Sequence, residues 1–490
     1  MPQVPEMSDE ELAAYARTVG RLRRLPADHP TRLHAERLAE SFVREGRHRR
    51  RQVERGNRAA ADAALLRATV TGAPDRREDA PLAPPPSPAP SAPSAPSAPS
   101  APSAPSAPSA AGIPQAPLGE LHRPRRCYVC KSTYRQVDAF YHLLCPGCAA
   151  DNASRRDLST DLHGRRALLT GGRVKIGFRL ALMMLRDGVE LIVTSRFPQD
   201  TVRRFRAAPG SEKWLNRLTV VGIDLRDPRQ VIGLCDQLRA EGRPLDILVN
   251  NAAQTLRRPP EAYALLIAGE QDARPPSGAA VLHAPGFRLM PALTAAWPAA
   301  ELEATTSRDA GPAGEMARVA DEAGLLPDAA PTNSWSARLG ELDPAELLET
   351  QLVNSLAPAL LCDRLLPLLL ASPHARRYVV NVTAVEGRFA VRNKTASHPH
   401  TNMAKAALNM LTRTSAAELA GQGVHMCAVD TGWITDENPA PKKSRMAAHG
   451  FRTPLDVVDG AARVYDPIVR GEAGAPLAGV FLKDYREAAW

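Results

Sequence analysis

Apolar and polar residues alternate at helical spacing over the first part of the chain. Ser8 and Glu11 have the spacing of a capping box ahead of Leu12, which predicts a helix start. A second helical stretch begins at about Thr31, and its apolar stripe consists of Leu33, Leu38 and Phe42. The pattern therefore predicts a helical N-terminal segment over residues 1–75.

From residue 161 onward, short apolar runs alternate with helical stretches. Arg166–Thr170 is a buried-strand pattern, followed by the loop Gly171–Gly177 and a helix from about Phe178. Three further strands are predicted at Glu190–Val193, Leu218–Ile223 and Leu245–Val249. This alternation predicts an α/β domain with a Rossmann-type doubly wound parallel sheet over residues 161–490.

The loop Gly171–Gly177 is a candidate phosphate site. A strand, a glycine loop and a helix direct backbone N–H groups and a helix N-terminus at a pyrophosphate. Lys175 stands where such loops usually have a second glycine, and Arg173 and Lys175 either add charge near the phosphates or point to solvent. Arg196 follows the next strand in place of an acidic residue, which favours NADP(H) over NAD(H).

Composition adds two features to this picture. The 45 prolines cluster, and residues 76–118 are mostly Ser-Ala-Pro repeats, which predict an extended, disordered linker. The net charge of +9 owes much to arginines near the N-terminus, including the run 44–51. No nucleic-acid-binding motif accompanies that run, so a solvated helical face or a docking segment is favoured over nucleic acid.

Two CxxC pairs lie within residues 119–160. Each pair can turn two thiolates toward one point, and together the pairs supply the tetrahedron that structural zinc prefers. Iron in a rubredoxin-like site or two redox-active dithiols are the alternatives. The candidate ligands are Cys127, Cys130, Cys145 and Cys148.

The sequence gives no sign of export or of a membrane span. The sequence contains no apolar stretch of 18 or more residues that is free of charged residues. The first residues also lack the basic and then apolar pattern of a secretory signal. The expectation is a cytoplasmic protein with no membrane partner.

Six segments occur in the order typical of the short-chain dehydrogenase/reductase family. They are the Thr170–Gly177 loop, Asp224-Leu225, Asn250-Asn251-Ala252-Ala253, Asn354, the strand Val379–Thr383, and Lys405. Asp430-Thr431-Gly432-Trp433 follows where that family has a Pro-Gly turn beside the nicotinamide. Residues 161–253 and 350–490 therefore resemble this family.

The resemblance implies roles for individual residues. Asp224 and Leu225 would flank the adenine, and Asn250 would lie near the cofactor ribose. Lys405 would bind the nicotinamide ribose, and Asn354 would hold a water that relays protons to it. The cofactor-binding set so implied is Thr170, Gly171, Arg173, Lys175, Ile176, Gly177, Arg196, Asp224, Leu225, Asn250, Ala252, Lys405 and Gly432.

The family's catalytic tyrosine and serine are missing. Thr401 stands at the tyrosine position ahead of Lys405, and Ala384 stands at the serine position. Carbonyl reduction creates an alkoxide that must be protonated, and an aliphatic hydroxyl is a far weaker acid than a phenol. His398 and His400 precede the helix, and they are either substitute proton donors or ordinary loop residues.

Roles can also be expected for three further features: the insertion, Trp433 and the last strand. The insertion at about 254–349 would emerge where substrates bind, so it is either a substrate or partner cap or flexible padding. Trp433 would stack on a ligand or pack in the core. The last strand, Val480–Tyr485, resembles one that makes subunit contacts in the family, which suggests a homo-oligomer.

Two functions fit the sequence. The first is an NADP(H)-dependent oxidoreductase with an unknown substrate and an atypical active site built on Asn354, Lys405 and either Thr401 or His400. The second is a catalytically silent dinucleotide-binding adaptor or redox sensor.

Overall fold

The computed structural model describes residues 7–76, 117–271, 279–289, 320–326, 330–391 and 394–490. The linker expected over 76–118 lies outside the described residues, apart from its ends. The same holds for parts of the insertion at 254–349.

The N-terminal segment consists of two helices, α1 (Asp9–Arg23) and α2 (Pro30–Arg67). The capping box forms, with Ser8 and Glu11 bonding each other's backbone N–H groups. Most of α2 is exposed, and its last turns dock on the following module through Asp62, whose carboxylate accepts the N–H groups of His122 and Arg123 at 2.7 and 3.0 Å. Docking at one end explains why the apolar stripe at Leu33, Leu38 and Phe42 stays exposed.

A small module follows, which we call the four-cysteine module (residues 117–156). It contains an antiparallel pair, β1 (Gly119–Arg126) and β2 (Thr133–Val137), and the helix α3 (Pro146–Arg155). Its first CxxC pair lies between the two strands, and its second pair opens α3.

The body of the protein is a nine-stranded sheet in the order β11-β10-β9-β8-β6-β3-β4-β5-β7. All neighbouring strands are parallel except the last pair, β10 and β11. The strands are β3 (Arg166–Leu169), β4 (Glu190–Ser195), β5 (Leu218–Gly222), β6 (Ile247–Asn250), β7 (Ala280–His283), β8 (Arg377–Thr383), β9 (Val424–Asp430), β10 (Phe481–Lys483) and β11 (Arg486–Ala488). The α/β fold with a mostly parallel sheet is therefore confirmed.

Helices cover both faces of this sheet. They are α4 (Lys175–Arg186), α5 (Pro198–Arg206), α6 (Pro228–Ala240), α7 (Ala264–Gln271), α8 (Pro344–Gln351), α9 (Ala357–Leu370), α10 (Pro399–Gly421), α11 (Ala440–Ala448) and α12 (Val457–Glu472). Because both faces are covered, the central strands β3, β6 and β8 are buried along their whole length. The helix expected from Phe178 begins three residues earlier, at Lys175.

The helical stretch Pro344–Leu370 bears on the expectation that the chain has no membrane span. By length and hydropathy it is apolar enough to cross a bilayer, although half of its most apolar window is buried inside the protein. Leu361, Leu365 and Leu369 pack in the core between this stretch and the sheet. These three leucines thus serve the interior of the α/β domain, where each buried leucine contributes roughly 2 kcal/mol.

Candidate active site

A cavity of about 940 Å³ lies at the carboxyl ends of the parallel strands. In open α/β sheets this edge is where ligands bind, and the volume suits a dinucleotide or a large substrate. The wall includes Gly171 and Gly177 after β3, Ser195 and Arg196 at the end of β4, Asp224 and Leu225 after β5, Asn251 and Ala252 after β6, Thr383 and Glu386 around the end of β8, and Asp430 and Gly432 around the end of β9.

The glycine loop is held tightly against the segment that follows β6. Gly171 has a φ of +72°, and a Cβ there would lie 2.9 Å from the Cα of Ala252. A Cβ on Gly177 would lie 2.1 Å from the carbonyl oxygen of Gly171. Thr170 lies behind the loop, and its Oγ1 accepts the N–H groups of Asn251 and Ala252 at 3.0 Å each. The loop therefore has the close backbone approaches that a phosphate cradle needs.

Lys175 takes an unusual backbone conformation in this loop. Its φ of +54° lies in the left-handed region, which a glycine adopts at little cost. Its ammonium lies 3.6 Å from the carboxylate of Glu437, and Arg173 pairs with Asp200 at 2.8 Å. Both residues line the cavity and both cations pair with carboxylates, so neither side chain points simply to solvent, and their role near phosphates stays a prediction.

Arg196 lies on the cavity wall directly after β4. Its guanidinium stacks on the ring of Tyr263, 5.0 Å from the centroid. Within the described residues it forms no ion pair with a carboxylate, unlike Arg226, which pairs with Asp224 and Glu349. Burial alone would raise the pKa of Asp224, but the hydrogen bonds and charge of Arg226 outweigh it and lower that pKa. Arg196 is thus a cation available to an anionic ligand.

Lys405 lies on α10 and is almost completely buried at the cavity wall. Its ammonium donates to the carbonyl oxygen of Val382 at 2.9 Å. Burial lowers the pKa of Lys405 to about 8, while the carboxylate of Glu386 acts in the opposite direction.

Thr401 lies one turn before Lys405, on the same face of α10. Its hydroxyl is buried at the cavity wall and has no hydrogen-bond partner within the described part of the chain. An unpartnered buried hydroxyl costs free energy, so its position is consistent with a ligand that would satisfy it.

His400 does not reach the cavity, so its expected role as proton donor is not supported by the geometry. Its ring is fully buried, and neither ring nitrogen has a hydrogen-bond partner among the described residues. Successive helical residues differ by about 100°, so His400 points away from the face shared by Thr401 and Lys405. His398 lines the cavity instead and stacks on Trp335 at a centroid distance of 4.0 Å.

Two asparagines also lie away from the cavity wall. The side chain of Asn250 donates to the Oδ1 of Asn381 at 2.8 Å, inside the core, and Asn251 lines the cavity in its place. The side chain of Asn354 bonds both the N–H and the carbonyl of Gln254, at 2.7 and 2.9 Å. Asn354 therefore anchors the start of the insertion, and its role in a water relay stays a prediction.

The other cofactor-site residues expected from the sequence, apart from Thr170, meet at the cavity together with the catalytic candidate Thr401. Its wall contains Gly171, Arg173, Lys175, Ile176, Gly177, Arg196, Asp224, Leu225, Ala252, Thr401, Lys405 and Gly432. Trp433 also lies on the wall and is 44% exposed, so the expectation of a core aromatic was wrong.

Several wall residues were missed by sequence reasoning. The described part of the insertion contributes Tyr263, Ala323 and Trp335, among others. The four-cysteine module contributes Tyr128, although nothing in the sequence links it to the cofactor site.

The four cysteines converge. The sulfurs of Cys127, Cys130, Cys145 and Cys148 all lie within 4.8 Å of one another. A Zn–S distance of about 2.3 Å in a tetrahedron separates the sulfurs by about 3.8 Å, so the cluster fits such an ion after small shifts. The N–H of Cys145 donates to the sulfur of Cys127 at 3.3 Å, which would stabilise a thiolate there.

Comparisons with known families agree with this geometry. A short chain dehydrogenase family model matches residues 165–265, and an Enoyl-(Acyl carrier protein) reductase model matches residues 316–455. Both matched regions contribute residues to the cavity.

Individual relatives add to the comparison. The chain is 30% identical over 358 residues to "Uncharacterized protein R665" of Acanthamoeba polyphaga mimivirus, covering 70% of this chain and 71% of that protein. It is 30% identical over 136 residues to the C-signal protein of Myxococcus xanthus, covering 28% of this chain and 80% of that protein. A short chain dehydrogenase from Burkholderia cenocepacia in complex with NADP aligns at 20% identity and a TM-score of 0.42, covering 66% of this chain and 97% of that structure.

The sheet order and the glycine loop define the class of the α/β body as a Rossmann-type fold. The matches along both halves of this body then identify the family. The chain belongs to the short-chain dehydrogenase/reductase family, a family of oxidoreductases.

Proposed function

We propose that the cavity binds NADP(H) and that the protein is an NADP(H)-dependent oxidoreductase with an atypical proton donor. The observation that carries this proposal is the position of Lys405. A buried ammonium on α10 faces a cavity whose other end is the glycine loop. Burying a lysine costs free energy, so its retention here supports a role in the site.

Arg196 supports NADP(H) over NAD(H). Its guanidinium lies at the end of β4, where a carboxylate would instead accept hydrogen bonds from the ribose hydroxyls. A 2′-phosphate would supply the anion that Arg196 lacks among the described residues.

The bound cofactor would supply a hydride, and the chain would have to supply the proton. Burial raises the pKa of Glu386, which favours its protonated form, whereas burial lowers the pKa of His398 and favours its neutral form. Glu386 is therefore the one of the two whose burial favours a proton to donate, whereas the positive charge of Lys405 acts in the opposite direction. We assign proton donation to Glu386, with the hydroxyl of Thr401 orienting the substrate oxygen.

The four-cysteine module is proposed to hold structural zinc. Four convergent thiolates leave no open coordination position for chemistry, which favours a structural role. Metal binding of this kind typically contributes ~10 kcal/mol or more to the folding of a small module.

A catalytically silent dinucleotide-binding adaptor is the second candidate. The observation that favours it is the replacement of the family's serine and tyrosine by Ala384 and Thr401, which leaves no phenol at that position. Both candidates require the cofactor, and only the proton-transfer step separates them.

The test is a fluorescence titration of the protein with NADPH, followed by single-turnover oxidation against a panel of aldehydes and ketones. Lys405→Ala should weaken NADPH binding and abolish oxidation, whereas the exposed control Lys213→Ala should match the wild type. Glu386→Gln should bind NADPH normally and lose most of its turnover.

The outcomes separate the candidates. Absence of binding to both NADPH and NADH would refute the cofactor proposal. Tight binding with no oxidation of any carbonyl would favour the silent adaptor.

A further inference from the structure

The first cysteine pair carries a tyrosine that reaches the cavity. Tyr128 lies between Cys127 and Cys130, and its phenol oxygen accepts the N–H of Trp433 at 2.8 Å. A Cβ on Gly432 would lie 3.6 Å from the same oxygen. The cavity wall after β9 therefore contacts the four-cysteine module directly.

The hydroxyl of Tyr128 can still donate one hydrogen bond. Its oxygen accepts from Trp433, and no described residue is shown to accept its proton. A phenol can donate one hydrogen bond while accepting another. Because Tyr128 lines the cavity and its hydroxyl lies beside the wall residues Gly432 and Trp433, an oxygen atom of a bound ligand is the natural acceptor.

The cysteines and their neighbours fix the position of the tyrosine. The N–H of Tyr128 donates to the carbonyl of Leu143 at 2.8 Å, which joins the two cysteine pairs. The ammonium of Lys131 lies 4.9 Å from the ring centroid, and that of Lys483 lies 5.6 Å away. Because Tyr128 directly follows Cys127, a rearrangement of the cysteine cluster would therefore move the phenol.

The module also packs on both ends of the cofactor site. One apolar cluster joins Cys127 and Leu144 of the module to Ile434, which follows β9. Ile176 of the glycine loop packs against the same cluster. Polar links add to this contact. Arg156 of the module pairs with Asp456 and Asp459 at the start of α12, at 2.8 and 3.0 Å.

We infer that the four-cysteine module completes the active site, with Tyr128 donating a hydrogen bond to a ligand oxygen and the metal-bound cysteines holding it there. The ligand oxygen belongs to the nicotinamide carboxamide or to the substrate carbonyl, since both are neutral acceptors expected near Gly432. This inference rests on the proposed function for its ligand. The contact between module and cavity does not depend on it.

The first experiment measures the contact without any cofactor. Hydrogen–deuterium exchange of the segment 430–436 is compared in the zinc-loaded wild type, in Tyr128→Phe and after removal of zinc by a chelator. The Trp433 amide should exchange at least tenfold faster in Tyr128→Phe and after chelation, because its acceptor is lost or displaced. Unchanged exchange in both would overturn the inference.

The second experiment measures the ligand contact. Tyr128→Phe should keep its zinc, measured as metal per chain, and should lose about tenfold in NADPH affinity or in kcat/KM. Tyr134→Phe is the matched control, because Tyr134 is buried in the same module and its hydroxyl donates to the carbonyl of His142. A wild-type value in Tyr128→Phe would refute the hydrogen bond to the ligand.

The two proposals fail in different ways. If the zinc-loaded wild type binds neither NADPH nor NADH, the proposed function is wrong, together with the ligand assigned to Tyr128. The exchange measurement still decides whether the module and the cavity are coupled. If the wild type binds NADPH and neither chelation nor Tyr128→Phe changes this, only the present inference is wrong.

Discussion

The cavity end at the glycine loop, proposed to bind the nucleotide (the nucleotide end), and the end at Lys405, proposed to carry the chemistry (the catalytic end), depart from the family pattern in different ways. At the nucleotide end, Gly171 and Gly177 keep backbone approaches that no side chain would permit. At the catalytic end, the serine and tyrosine positions hold Ala384 and Thr401, while the fold still brings Thr401 and Lys405 to one face of α10.

The difference shows which constraints are steric and which are chemical. Phosphate binding by backbone N–H groups requires chain segments to approach closely, so a single added carbon is excluded. Proton donation requires only an acid within reach of the substrate, and the wall contains other titratable side chains, such as Glu386 and His398. The catalytic end can therefore be rebuilt from new residues while the sheet and the loop stay intact.

The largest expected effect comes from filling the tight approach at Gly177. Gly177→Ala should reduce NADPH affinity by at least about 100-fold, or ~3 kcal/mol, because its Cβ would collide with the carbonyl of Gly171. Gly20→Ala is the control, since no atom lies within 4 Å of a Cβ at that helical position. Normal NADPH binding in a folded Gly177→Ala protein would show that this end tolerates substitution as the catalytic end does.

The buried ammonium at the catalytic end predicts a pH-dependent stability. Burial lowers the pKa of Lys405 to about 8 in the folded protein from the 10.5 of an exposed lysine, which corresponds to roughly 3 kcal/mol of destabilisation below pH 8. Between those values the unfolded chain holds a proton that the folded chain has lost, so stability rises with pH.

Lys405→Met should therefore unfold at higher denaturant concentration than the cofactor-free wild type at pH 7. The net gain should be about 2 kcal/mol, because the hydrogen bond to Val382 is also lost. The gain should shrink as the pH is raised from 8 to 10.5. A gain that is constant across this window in urea titrations would contradict the assigned pKa.

A smaller effect is expected at Arg196, which tests whether the nucleotide end selects its cofactor. Arg196→Ala should lower NADPH affinity about tenfold, or ~1.4 kcal/mol, and leave NADH affinity unchanged. The exposed Arg229, which pairs with Asp227, provides the control Arg229→Ala. If isothermal titrations show that Arg196→Ala lowers the affinities for NADPH and NADH equally, Arg196 does not recognise the 2′-phosphate.

The smallest effect concerns the strained position in the glycine loop. Lys175→Gly should relieve a left-handed conformation and stabilise the protein by up to ~1 kcal/mol, less the weak ion pair with Glu437. The measurement is the free energy of unfolding in urea. Lys175→Ala is the comparison, because it removes the same charge and keeps the strain. Equal stability of the two variants would show that the backbone at Lys175 is not strained.

The sequence by itself determined the α/β fold, the glycine loop and the pairing of the cysteines into CxxC knuckles. These features follow from local rules: a repeating apolar pattern, glycines where no Cβ fits, and pairs of cysteines separated by two residues. The order of Thr170–Gly177, Asn250–Ala253 and Lys405 likewise indicated the family, because parallel strands bring their carboxyl ends to one edge.

Only the tertiary structure decided which side chains face the cavity. Helical phase turned His400 into the interior and Thr401 toward the cavity, and His398 lines the cavity from the residue that precedes α10. A one-residue offset replaced Asn250 by Asn251 at the wall. Tyr128 lies 304 positions before Gly432 in the chain, and no periodicity or spacing connects them. Their contact depends on how the four-cysteine module packs against the sheet edge, which is set by the summed burial of many side chains far apart in sequence.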